Sequence, residues 1–123
     1  MEQAGCQVLV VDDDADTRDA LVAALESDQF CVEQVSSGAA ALERCGHLPA
    51  VDVVLLDLHM PGMKGTDVLE QLKTMPGSCK ARVFLLTGDS RAKLIDLAGQ
   101  AKVLHKPFSL DELEAAVTEA CAA

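Results

Sequence analysis

Three carboxylates, one ammonium and one hydroxyl stand at or just beyond the ends of short apolar runs in this 123-residue chain. Asp57 follows Val53-Val54-Leu55-Leu56, Asp12 and Asp13 follow Val8-Leu9-Val10-Val11, Thr87 follows Val83-Phe84-Leu85-Leu86, and Lys106 comes shortly after Val103-Leu104. Brought to one place, three carboxylates repel one another unless a cation sits among them. Oxygen ligands without a His and Cys set select a hard divalent ion, magnesium over zinc, and loop carboxylates with room for water suit it better than a dedicated calcium cage. A carboxylate facing such an ion, a fixed positive charge and a hydroxyl donor is arranged to attack phosphorus, because those groups neutralise the equatorial oxygens of a phosphoryl group in flight. Asp57 is the expected nucleophile, with Lys106 as the charge and Thr87 as the donor. Each residue alone has an ordinary reading: an acidic pair after a strand often caps a helix, and Asp14 is read here as such a cap.

These residues can converge only if the runs are parallel strands. Four apolar residues without alternation are too few for a helix and read as strands buried on both faces. Pro61, Gly62 and Gly65 impose a loop after Asp57. Between the strands, Leu21, Val22, Ala24 and Leu25, then Ala41, Leu42 and Cys45, then Val68, Leu69, Leu72 and Met75, then Leu94, Ile95, Leu97 and Ala98 fall at helical spacing. Cys31 to Val35 reads as a short alternating strand, Ser36-Ser37-Gly38 as a helix start, and Ser109 with Glu112 as a capping box opening a helix with Leu110, Leu113, Val117 and Ala120 on its apolar stripe. Strand and helix thus alternate five times. Short right-handed crossovers predict a doubly wound α/β sandwich of three layers, flavodoxin-like, with parallel strand order 2-1-3-4-5. Such sheets bind ligands at the C-terminal edge, where Asp12, Asp13, Asp57, Thr87 and Lys106 would meet.

Composition narrows the function. The length suits one domain over residues 1–123. A formal charge of −10 repels phosphate backbones and anionic lipid surfaces, and with no Trp or Tyr there is no stacking platform for bases, so neither nucleic acid nor membrane is an expected partner. Phe occurs only at 30, 84 and 108, which leaves an aliphatic core. The five cysteines, 6, 31, 45, 79 and 121, are scattered and never spaced as Cys-x-x-Cys, so reduced thiols in a cytoplasmic protein are expected rather than a zinc site or a disulfide framework. No run is long enough for a membrane span, and the start lacks the pattern of a signal peptide.

The sequence resembles the receiver domain of two-component response regulators over essentially its whole length. The resemblance rests on Val10-Val11-Asp12-Asp13-Asp14, Leu55-Leu56-Asp57-Leu58-His59-Met60-Pro61-Gly62-Met63-Lys64-Gly65, Leu86-Thr87-Gly88 and Lys106-Pro107-Phe108. It implies that Asp57 takes a phosphoryl group from the phosphohistidine of a histidine kinase or phosphotransfer domain. It implies also that Asp12, Asp13, Asp57 and the His59 backbone carbonyl hold Mg2+, that Thr87 and Lys106 contact the phosphoryl group, and that the Lys106 to Pro107 peptide is cis. A downstream effector would dock on the face made by the fourth helix, the fifth strand and the fifth helix. The chain departs from the family at Val103, where an aromatic residue is common, and the interval from Thr87 to Lys106 is shorter than usual by about one helical turn, so a stunted fourth helix is expected.

Two other classes compete with a switch that only gains and loses its own phosphoryl group. A haloacid-dehalogenase-like phosphatase would carry an Asp two residues after the nucleophile, where this chain has His59. A pseudo-receiver acting purely by binding would have no use for the full set of five pocket residues.

Overall fold

The computed structural model describes residues 6–25, 30–47, 51–57, 60, 62, 65–74, 82–87, 101–105 and 109–122. In chain order these form β1 (Cys6–Val11), α1 (Ala15–Leu25), β2 (Phe30–Val35), α2 (Gly38–Cys45), β3 (Val53–Asp57), α3 (Gly65–Thr74), β4 (Arg82–Thr87), β5 (Ala101–His105) and α4 (Leu110–Ala122). The helix expected around Leu94 to Ala98, the Lys106 to Pro107 peptide, His59 and Met75 lie outside the described residues, so α4 is the helix that follows β5.

All four strand pairings are parallel, and the order is β2-β1-β3-β4-β5, as the sequence predicts. Alternation along the strands divides the core between two layers. Val8, Val10, Val53, Leu55, Phe84 and Leu86 face α1 and α4, where Leu21, Leu25, Leu113 and Val117 meet them. Their neighbours Leu9, Val11, Val54, Leu56 and Leu85 face α2 and α3, against Ala41, Val68 and Leu72. A central strand covered on both sides needs apolar side chains facing either layer, and β3 is buried throughout, apolar from Val53 to Leu56 with Asp57 as its charged last residue. Each fully buried Val or Leu stabilises the fold by about 1.5–3 kcal/mol relative to exposure.

Polar side chains set the helix starts. The Ser37 hydroxyl accepts from the Ala40 amide at 3.1 Å. In α4 the Glu112 amide donates to the Ser109 hydroxyl at 3.0 Å and the Ser109 amide donates to the Glu112 carboxylate at 2.8 Å, the reciprocal pair that the sequence predicts.

Three expectations need correction. Gly65 is the first residue of α3 rather than part of the preceding loop; Gly62, with φ of 80°, takes the left-handed conformation that loop requires. β5 runs over five residues, well beyond Val103-Leu104, because pairing with β4 from Val83 to Thr87 carries the ladder past the apolar positions. The cysteines are not all reduced thiols: Cys6 and Cys121 form a disulfide across 115 residues, their Cα atoms 5.9 Å apart. No local spacing could announce that pair, since β1 and α4 become neighbours only in the folded sheet. Cys31, exposed, and Cys45, buried, are not disulfide-bonded.

Candidate functional site

The register of the sheet builds the site. Val11 pairs with Leu56, so the chain leaves adjacent strands at Asp12 and Asp57 side by side. Asp57 pairs in turn with Leu86, which places the Thr87 backbone at the same edge, and Thr87 pairs with His105, the residue before Lys106. The Thr87 strand position is therefore where the sequence reading puts it; Lys106 and His59 fall outside the described residues.

Asp12 is 1% exposed and Asp57 8%, whereas Asp13 is open to solvent. One carboxylate oxygen from each of the three lies within 4.8 Å of the others. Asp12 and Asp57 are the buried charged residues of the described core, and burying like charges so close together is costly unless a cation compensates. Three hard oxygen donors with one side open to water fit a hard divalent cation.

Asp12 is anchored from three directions. Its Oδ1 accepts from the Asp14 amide at 2.9 Å, and its own amide donates to the Val35 carbonyl on β2 at 3.3 Å. Arg18 on α1 donates through Nη1 to the Asp12 carbonyl at 2.8 Å and through Nε to Gln34 Oε1 at 2.9 Å, so one guanidinium joins α1, the end of β1 and β2. Such contacts fix the direction of a ligand carboxylate before any ion arrives. Arg18 and Gln34 are functional candidates that sequence reading missed. The signal available was faint: a basic residue in the first turns of a helix that begins with acidic ones.

Asp14 serves α1 instead of the cluster. Its carbonyl accepts the Arg18 amide at 3.0 Å, and its carboxylate accepts the Thr17 hydroxyl. That hydroxyl, with help from the Thr17 and Asp16 amides and the Arg18 charge, holds the Asp14 carboxyl below its ordinary value.

Comparison with known proteins decides the family, because the model of the response regulator receiver domain matches residues 8–118. The chain belongs to that family. Among relatives of this receiver domain, the transcriptional regulatory protein CutR of Streptomyces coelicolor is 35% identical over 112 residues, covering 90% of the chain and 51% of CutR. A cyclic di-GMP phosphodiesterase of Thermotoga maritima is 33% identical over 116 residues, covering 92% of the chain and 30% of that protein. Among solved structures, the chemotaxis protein CheY4 of Vibrio cholerae superposes with a TM-score of 0.84 at 25% identity, covering 95% of this chain and 99% of that one. The receiver domain thus spans about a third to a half of these two relatives, whereas it matches CheY4 nearly end to end. Accepting a phosphoryl group in two-component signalling is the function of the family.

Proposed function

We propose that Asp57 is the phosphoryl acceptor of a receiver domain spanning residues 1–123, that Asp12, Asp13, Asp57 and the His59 carbonyl bind Mg2+, and that Thr87 and Lys106 contact the transferred group. The observation that carries this reading is the three-carboxylate cluster at the C-terminal ends of β1 and β3, with β4 ending on Thr87 beside it. An Asp57 oxygen attacks phosphorus as the bond to the donor imidazole breaks, the electron pair of that bond leaving with the ring nitrogen. Asp12, pinned by Arg18 and the Asp14 amide, keeps its carboxylate fixed while charge moves, so little reorganisation opposes the transfer. Magnesium, when bound, neutralises phosphoryl oxygens.

The donor is a histidine kinase or phosphotransfer domain, and the setting is the cytoplasm. The switch turns over no metabolite. An effector docking on the side of the sheet that carries β5 and α4 would meet Asp111, Glu114 and Glu119, all exposed, which favours a basic partner surface. With Val103 in place of an aromatic residue, no ring can swing inward as Thr87 closes on the phosphoryl group, so output depends on the segment after Thr87.

Acetyl phosphate with magnesium should add a single acid-labile phosphoryl mass to the wild type and none to Asp57→Asn. A modification of unchanged yield in that variant would place the nucleophile elsewhere.

A further inference from the structure

Cys6 and Cys121 have no part in phosphoryl transfer, yet they join the first residue of β1 to the last turn of α4. We propose that this pair is a thiol–disulfide modification site, a redox-operated clamp that decides whether the C-terminal turns of α4 stay on the sheet. Three observations carry it.

The first is position. Cys6 and Cys121 pack against the layer under α1 and α4, whereas Cys45 is buried in the layer under α2 and α3. Cys31 pairs with Gln7 rather than Cys6, so alternation puts it on the opposite face of β2 from the clamp. Among the described residues the two sulfurs can only choose each other. Both residues are half-buried, within reach of a small disulfide reagent, unlike Cys45.

The second is how α4 is otherwise held. Leu113 and Val117 are fully buried and fasten its first half whatever the sulfurs do. Beyond Val117, among the described residues, the same face carries Ala120 and Cys121, small side chains that are partly buried. The last turn has no basic residue to complement the helix dipole and instead carries Glu119. Without the covalent bond these turns have little to keep them docked.

The third is the other anchor. Cys6 pairs with Phe30 on β2, and on the side of β3 the first hold on β1 is at the next residue, where the Gln7 carbonyl accepts the Asp52 amide at 2.8 Å and the Gln7 amide donates to the Asp52 carboxylate at 2.9 Å. The clamp therefore ties the loosely packed end of α4 to a strand end that stays in place without it.

The chemistry balances with glutathione disulfide as oxidant. One cysteine thiolate attacks a glutathione sulfur and expels a glutathione thiolate. The second cysteine, deprotonated, attacks the protein sulfur of the mixed disulfide and expels the other. Two protein thiols are oxidised, and one glutathione disulfide becomes two glutathione thiols; excess glutathione reverses both steps.

The test equilibrates the whole chain in glutathione buffers from fully reducing to fully oxidising, quenches with acid, alkylates, and maps the 6–121 cross-link by mass spectrometry. Amide hydrogen exchange is measured on the two end states and on Cys121→Ala. The expected result is a reversible cross-link, with amides of Thr118 to Ala122 exchanging about tenfold or more faster in the reduced protein and in Cys121→Ala, while Val8 to Val11 stay equally protected. A bond that never forms, or that no reducing buffer opens, overturns the proposal. So does equal protection of the last turn in both states, or a loss of protection throughout the sheet, which would make the bond a global staple rather than a local clamp.

Discussion

Replacing Asp57 with Asn should make the metal-free protein more stable, although it removes the proposed nucleophile. Two unit charges separated by the 4.8 Å bound on the cluster repel by about 0.9 kcal/mol at the dielectric constant of water and about 3.5 kcal/mol at an effective value near 20. Asp57 faces two such neighbours, so the relief lies between about 2 and 7 kcal/mol. Asp13 is exposed, water and salt reach the cluster from that side, and the Lys106 charge that the proposed site brings to the same edge offsets part of the repulsion, so the low end, about 2 kcal/mol, is the expected gain. At about 2.1 cal/mol/K of unfolding entropy per residue, a 123-residue chain moves by about 4 °C per kcal/mol, so Asp57→Asn should melt about 8 °C above the wild type in EDTA at low salt. Magnesium reverses the advantage: at a hundred times its dissociation constant it adds about 2.7 kcal/mol to the wild type and much less to a variant that has lost a ligand charge. Circular-dichroism melts with EDTA and across a magnesium titration measure both effects. A variant that melts lower than wild type in EDTA, or gains as much from magnesium, would refute the reasoning that the cluster is strained by its own charge and relieved by a cation.

Other outcomes follow from the same contacts. Arg18→Ala should weaken magnesium binding by about tenfold, read from the metal dependence of the melting temperature, because the Asp12 carbonyl loses the donor that orients it. Arg44 donates to Glu33 through Nε at 2.8 Å and Nη2 at 2.9 Å and holds the Glu33 carboxyl below its ordinary 4.5. This pair therefore stabilises the fold above that pH and ceases to as the pH falls through the depressed value. With Glu33 46% exposed, Arg44→Met should cost less than about 1 kcal/mol near neutrality and almost nothing at the acid end of a urea series.

What the sequence disclosed follows from how parallel sheets are made. β1, β3 and β4 are covered on both faces, so they announce themselves as unbroken apolar runs, and connection rules leave few ways to order them. The carboxylates were legible because each stands where such a run stops: a strand end is also a position in space once the register is known. Ser109 and Glu112 were legible because a capping box is local. Arg18 was not, since its partners Asp12 and Gln34 sit on two different strands and nothing near it in sequence names them. The Cys6–Cys121 bond was hidden for the same reason at greater range, and scattered cysteines suggested reduced thiols because spacing reports only on neighbours along the chain. The roles of His59 and Lys106 rest on likeness to the family and not on geometry, as both lie outside the described residues.

The same bond settles how the domain would carry mechanical load. Tension applied at residues 6 and 121 in the oxidised state passes through one sulfur–sulfur link between Cα atoms 5.9 Å apart, and the sheet between them feels none of it. Once the bond is reduced, that force reaches β1, which is paired to both β2 and β3, and must shear it from between them, breaking ladder hydrogen bonds together rather than one at a time. Asp12 lies directly after that strand, so a pull that outlasts the undocking of the last α4 turns and shifts β1 would draw one carboxylate out of the cluster. Oxidation would thus make the phosphoryl site indifferent to tugging at those two points, and reduction would leave it responsive.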